Sequence, residues 1–210
     1  MSGPDLPNWP CRDPWQPFLG SIRTYVHTGG ATDFESFKRA MKRGRIFTSG
    51  GPMIDLEIDG QPIGRTVHLD APGKVRVSGN LRPPRELSEL TLIQNGRDIE
   101  LPISKFFQDG IHVWEIEREI LIEKSSWIAL SARGSRIETQ DIDETAHTNA
   151  IRVIVNGKPI RSNKTAQEFI DTLQKRKTHY QDAGAYKSDQ QRQRALKIFD
   201  KAIPELEKRL

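Results

Sequence analysis

The side chains able to do chemistry are few and scattered along the chain. The five histidines, His27, His68, His112, His147 and His179, fall in no hydrolytic-metal spacing: there is no His-x-His, no His-Glu-x-x-His and no His–Cys cluster. His112 stands in an alternating stretch beside Trp114, and His179 in a basic helical stretch, so each reads as a surface or edge imidazole rather than a ligand. Cys11 is the single cysteine, which excludes an internal disulfide and a thiolate cluster for zinc. A serine nucleophile calls for a Gly-x-Ser-x-Gly elbow; the nearest string, Thr48-Ser49-Gly50-Gly51-Pro52, reads instead as a Gly-Pro turn between two strands. No phosphate loop of the Gly-x4-Gly-Lys-Ser/Thr type occurs. Glu115 with Glu117, and Asp141 with Asp143, are carboxylate pairs one residue apart. On a strand that spacing puts both members on one face, as it does on any solvated face.

Two binding chemistries remain. Trp9, Trp15, Trp114 and Trp127 could build a sugar-stacking platform, although Trp127 in Trp127-Ile128-Ala129-Leu130 reads better as core or as a domain seam. Lys175-Arg176-Lys177 and Arg192-x-Arg194 could neutralise phosphates without reading sequence. Aromatic interleaving is absent there, and Glu168, Asp171, Asp182, Asp189 and Asp200 dilute the field, so a solvated helix face is expected and no nucleic-acid partner.

These residues must be positioned by three regions that differ in pattern. Residues 1–44 open with a Pro- and Trp-rich stretch, Leu6-Pro7-Asn8-Trp9-Pro10 through Trp15 and Pro17, which forbids a regular helix or central strand. A strand candidate, Ile22–Val26, follows. Thr32 or Asp33 then caps a helix through about Arg43, with Phe34, Phe37, Ala40 and Met41 on one face and Gly44 placed for a left-handed C-terminus. Residues 45–161 read as all-β. Period-two alternation runs through Ile54-x-Leu56-x-Ile58, Val75-x-Val77, Ile111-x-Val113, Ile128-x-Leu130 and Ile151-x-Val153-x-Val155. Between such runs stand Asp59-Gly60, Asn95-Gly96, Asp109-Gly110 and Asn156-Gly157, dipeptides suited to tight hairpins. The spacing predicts an antiparallel β-sandwich of about seven to nine strands. Residues 162–210 switch to helical period and predict a helical hairpin. Thr165-x-x-Glu168 and Ser188-x-x-Gln191 serve as caps, and Pro204 should kink or end the second helix early.

Charge follows the same division. The formal net charge is +4. From Arg161 to Leu210 there are 12 Lys/Arg against 7 Asp/Glu, leaving 20 against 21 before them, so the basicity belongs to the tail. With 35% apolar and 29% charged residues, a core is possible but not generous. No run of about 18 apolar residues suggests a membrane span, and the first residues lack the pattern of an export signal. The expectation is a cytoplasmic chain, by default, with no membrane partner.

The local strings then suggest a family. Gly44-Arg45-Ile46-Phe47-Thr48-Ser49-Gly50-Gly51-Pro52 resembles the Gly-Arg-x-Phe-x-Thr/Ser-x-Gly-Pro signature of the CehA/McbA-type metallohydrolases of the PHP superfamily. As in that family, an alternating strand, an Asp-Gly turn and a further glycine follow, from Leu56 to Gly64. Gly20-x-x-Arg23-x-Tyr25-Val26, Leu92-Ile93-Gln94-Asn95-Gly96, Trp127-Ile128-Ala129-Leu130-x-Ala132-Arg133 and Ala146-His147-Thr148-Asn149-Ala150-Ile151 are similar to further family segments, in the same order. The resemblance covers nearly the whole chain. It implies the end of a larger enzyme whose metal-binding barrel hydrolyses esters or related bonds with a divalent metal. Gly3-Pro4-Asp5 is similar to a Gly-Thr/Ser-Asp motif near the barrel's end, which makes Asp5 a metal-site candidate by resemblance; the middle residue here is Pro. One carboxylate does not hold a catalytic ion, since such a site takes about three protein ligands and an open position.

The expectation is therefore a non-catalytic accessory module that needs no cofactor of its own, a fragment or split form of such an enzyme. Phe34, Phe37 and Met41 would pack on a PHP-type catalytic barrel. The alternatives are a stand-alone binding module for carbohydrate or a protein surface, and residual metal-dependent hydrolysis with an ion at Asp5.

Overall fold

A computed structural model describes residues 20–137 and 142–210, with the backbone alone at 135–137 and 142–143. Asp5, Trp9, Cys11, Trp15 and Asp141 lie outside the described residues. In chain order the elements are β1 (Arg23–Val26), α1 (Phe34–Lys42), β2 (Ile46–Ser49), β3 (Met53–Ile58), β4 (Gln61–Pro62), β5 (Thr66–Leu69), β6 (Gly73–Arg82), β7 (Glu89–Gln94), β8 (Arg97–Ile99), β9 (Ile103–Gln108), β10 (Ile111–Ile122), β11 (Ser126–Ile137), β12 (Ile142–Thr148), β13 (Ile151–Val155), α2 (Asn163–Ala183) and α3 (Asp189–Glu207). The fold is mainly β, with a short helix ahead of most strands and a helical pair behind them. Two units divide the chain, Met1–Pro159 and Ile160–Leu210.

The first unit is a sandwich. One sheet runs β1-β2-β12-β11-β13-β5, with β7 and β8 added; the other runs β4-β3-β6-β10-β9. The long β11 organises the larger sheet: it pairs with β7 along Ile128–Arg133, while β12 and then β13 share its other edge. Where β12 gives way to β13 the ladder is interrupted, and the Leu130 amide donates to Thr148 Oγ1 instead. That side chain satisfies a buried donor that would otherwise be costly. β1, from the segment that precedes the all-β pattern, pairs with β2 from Arg23↔Ser49 to Val26↔Ile46.

Four of the five expected alternations face a single core; Ile111 and Val113 lie on the opposite face of β10, whose inward register is set by Trp114 and Ile116. Ile54, Leu56 and Ile58 from β3, Val75, Val77 and Leu81 from β6, and Trp114, Ile116, Ile120 and Ile122 from β10 meet Leu90, Leu92, Ile128, Leu130, Ile151, Val153 and Val155 of the larger sheet. Burial of these side chains on one face of each sheet is what drives the two layers together, at about 1.5–3 kcal/mol for each large aliphatic. All four turn dipeptides have positive φ at both residues: Asp59 at 49° and Gly60 at 70°, Asn95 at 51° and Gly96 at 77°, Asp109 at 52° and Gly110 at 79°, Asn156 at 53° and Gly157 at 66°. This is the left-handed pair a type I′ turn needs.

Some expectations need correction. Of the 13 strands described, 12 fall within residues 45–161, more than the alternation predicts; β4 and β8, with two and three residues, present no period to read. One pair, β13 with β5, is parallel. Alternation specifies which face a residue takes, not the direction of the neighbouring strand.

The second unit is the helical pair. Its first cap is Ser162, whose side chain accepts from the Thr165 amide at 3.2 Å, so Thr165 sits inside α2 rather than at its cap. Ser188 caps α3 as expected, accepting from Gln191, and Gln191 Oε1 in turn accepts from the Lys187 amide. Helix α3 passes through Pro204 to Glu207 instead of ending early. So close to its C-terminus, the missing proline N–H removes one bond and little helix remains to be broken. Tyr180 and Phe199 approach at 5.7 Å between ring centroids, and Lys177 pairs with Asp200 at 2.6 Å.

Candidate functional site

Among the described residues, none of the catalytic arrangements considered from sequence is assembled by the fold; Asp5, and Asp141 of the Asp141 and Asp143 pair, lie outside them. Ser49 is buried, and its hydroxyl is fully committed: Oγ donates to the Pro52 carbonyl at 2.6 Å and accepts from the Gly51 amide at 2.9 Å. It staples a turn and is not poised as a nucleophile. His112 packs edge-on against Phe107, His179 against Tyr180, and His147 Nδ1 lies 2.6 Å from its neighbour's carbonyl, that of Thr148. Glu115 and Glu117 share the solvent face of β10, where Glu117 pairs with Arg76 at 2.8 Å. Trp114 points into the core and Trp127 is half-buried in the other sheet, so these two form no common platform.

The strings that carry the family resemblance do come together. Helix α1 ends in a Schellman arrangement: the Gly44 amide donates to Met41 O and the Arg45 amide to Ala40 O, with Gly44 at φ 71°. Asn149, between β12 and β13, donates from Nδ2 to Gly44 O at 2.8 Å, and its own amide donates to Ile46 O. Gly64 closes against the same turn. At φ 78°, a Cβ there would run into the Arg43 carbonyl and the Gly44 backbone. Thus Gly44, Gly64 and Asn149, 105 residues apart at the extremes, form one interlocked corner. Beside it Tyr25 stacks on Phe47 at 4.8 Å. At the other end of β11, Asn95 Oδ1 accepts from the Trp127 amide and Asn95 Nδ2 donates to Ser126 Oγ. These contacts are scaffold: most satisfy backbone at a turn, and the Tyr25–Phe47 stack and the Asn95–Ser126 side-chain bond brace them.

Sequence reasoning missed Glu144. It is 1% exposed, and its Oε1 has no hydrogen-bond partner among the described residues. Burial pushes its carboxyl above the ordinary glutamate range, and the charge of Arg85 opposes that without reversing it. The alternation Glu144-x-Ala146-x-Thr148 marks the inward face and was the available signal. A carboxylate in that register is easily mistaken for a strand-end polar residue.

Two open surfaces complete the unit. Helix α1 is well formed at both ends, with the Asp33 carboxylate accepting from the Ser36 amide at 2.8 Å. Hydrogen bonding from Ser36, from its hydroxyl first and its amide second, holds the Asp33 carboxyl below the ordinary range. Yet among the described residues nothing covers its apolar face: Phe34 is 69% exposed, and Phe37 and Met41 are exposed with it, the two rings stacked 6.3 Å apart. On the outer face of the smaller sheet a shallow groove of about 360 Å³ is lined by Asp55, Glu57, Ser78, Asn80, Glu115 and Glu117, among others.

Among the described residues, no three of His, Cys, Asp and Glu converge as metal ligands would, so they do not make a site that fits a divalent metal. Among the same residues no helix is long and apolar enough to cross a membrane. No family model matches the chain, and no curated protein matches it.

Proposed function

We propose that this chain is a non-catalytic accessory β-sandwich, the counterpart of the C-terminal region of CehA/McbA-type metallohydrolases of the PHP superfamily, and that it works by packing on a metal-binding barrel. The observation that carries this reading is the uncovered apolar face of α1. A nine-residue helix is marginal by itself. This one is capped at its start and locked at its end, while Phe34, Phe37 and Met41 face outward. Such a helix is ordered without burying its own apolar stripe, which suits a surface that another body covers. Lys38, Arg39 and Lys42 stand against Glu35 on the same helix, so the covering surface would carry an acidic rim.

The test mixes the purified chain with a CehA/McbA-type barrel expressed separately and measures binding by calorimetry. Stoichiometric binding is expected, weakened at least about tenfold by Phe34→Asp or Met41→Asp with unchanged circular dichroism, because each substitution places a charge in a buried apolar contact. Absence of binding by the folded wild type rejects the reading. So does ester hydrolysis by the chain alone that a chelator abolishes, which would instead support a metal at Asp5.

A second reading, a stand-alone binding module, draws on the groove of the smaller sheet. Its lining offers carboxylates, two serines and an asparagine but no aromatic ring, so a sugar there would be hydrogen-bonded rather than stacked. Saturable binding of an oligosaccharide, lost on Asn80→Ala, would favour it.

A further inference from the structure

The β2–β3 turn, Gly50–Pro52, carries the chain from one sheet of the sandwich to the other, and Glu144 lies beneath it. The enclosure is tight on every described side. A Cβ at Gly51 would stand 3.1 Å from Glu144 Oε1, and one at Gly134 on β11 would stand 3.3 Å from Glu144 Cβ. The turn is held to the neighbouring strand by the Gly50 amide, which donates to the Thr145 carbonyl at 2.8 Å. Gly51, which covers Oε1, is itself exposed, so one glycine separates a buried carboxyl from water.

We propose that Glu144 is a proton-held latch beneath this crossover: while its carboxyl is neutral the Gly50–Pro52 turn stays closed, and ionisation opens it. The charged and polar surroundings favour this sign. From the β6–β7 connection, Arg85 is the cation whose field reaches the carboxyl. From the turn, the Ser49 hydroxyl is already committed to Pro52 O and the Gly51 amide. From β11 the facing residue is Gly134, while Arg133 beside it and Glu86 beside Arg85 are exposed. Oε1 therefore has no described donor to stabilise a negative charge, and a buried carboxylate oxygen without a donor is far more costly than the same oxygen in a neutral carboxylic acid. The folded state binds the proton more tightly than the unfolded state. Its contribution is complete at low pH and is lost as pH rises from the ordinary glutamate range through the folded pKa. Opening at Gly50–Gly51 hydrates the carboxylate with the least disruption, because neither residue has a side chain to displace.

The experiment compares the full chain with Glu144→Gln across pH 4 to 9, following hydrogen exchange at the Gly50 amide and urea unfolding. Gln cannot ionise, so the ratio of Gly50 protection, wild type over variant, should fall on the order of tenfold toward high pH. The unfolding constants should diverge in the same direction. Carboxyl-carbon NMR of the wild type gives an independent readout should the variant fold poorly: Glu144 should titrate above the other glutamates. A flat protection ratio, or a Glu144 titration in the ordinary range, overturns the latch.

Discussion

Gly64 and Asn149 show how much a single residue can determine in this corner. At Gly64 the positive φ of 78° and the approach of the Arg43 carbonyl act together. Gly64→Ala should therefore cost about 2–3 kcal/mol in urea unfolding, from left-handed strain plus a clash with backbone that has no rotamer to escape into. Gly110→Ala makes the control: φ is 79° but the space is open, so strain alone remains and the loss should be near 1 kcal/mol. The glycine at position 64 stood out in sequence as part of a string. That it meets Gly44, which Asn149 holds across 105 residues, did not, because contacts between distant segments leave no periodic trace.

Among the elements, α1 and α2 contrast what caps and what faces can tell. The cap of α2 belongs to Ser162, three residues ahead of the serviceable-looking Thr165. Ser162→Ala should lower protection of the Thr165 amide and destabilise α2 by about 1 kcal/mol, while Thr165→Ala should cost less, since it keeps that bond. Both strings satisfy the same local rule, and which one wins depends on where the chain leaves its preceding extended segment. For α1, the apolar face of Phe34, Phe37 and Met41 was legible from spacing. Its exposure was expected only through the family resemblance, since an amphipathic pattern reports that a helix has a face to bury and not whether this chain buries it.

For the whole molecule, every member of the buried core cluster lies between Ile54 and Val155. A chain cut after Pro159 should therefore keep a cooperatively folded sandwich by near-UV circular dichroism, and Leu130→Ala within it should cost about 2–5 kcal/mol. Sequence alone determined the mainly β class, the four left-handed turns, the inward positions of β3, β6, β11 and β13 and the switch to helices near residue 162, because each follows from local period and backbone sterics. Tertiary structure decided the rest. It made β5 a parallel neighbour of β13, joined β1 to β2 and sealed Glu144 beneath Gly51. Those outcomes depend on which distant strands lie side by side, and a partner's identity is a property of the pair that neither segment carries in its own residues.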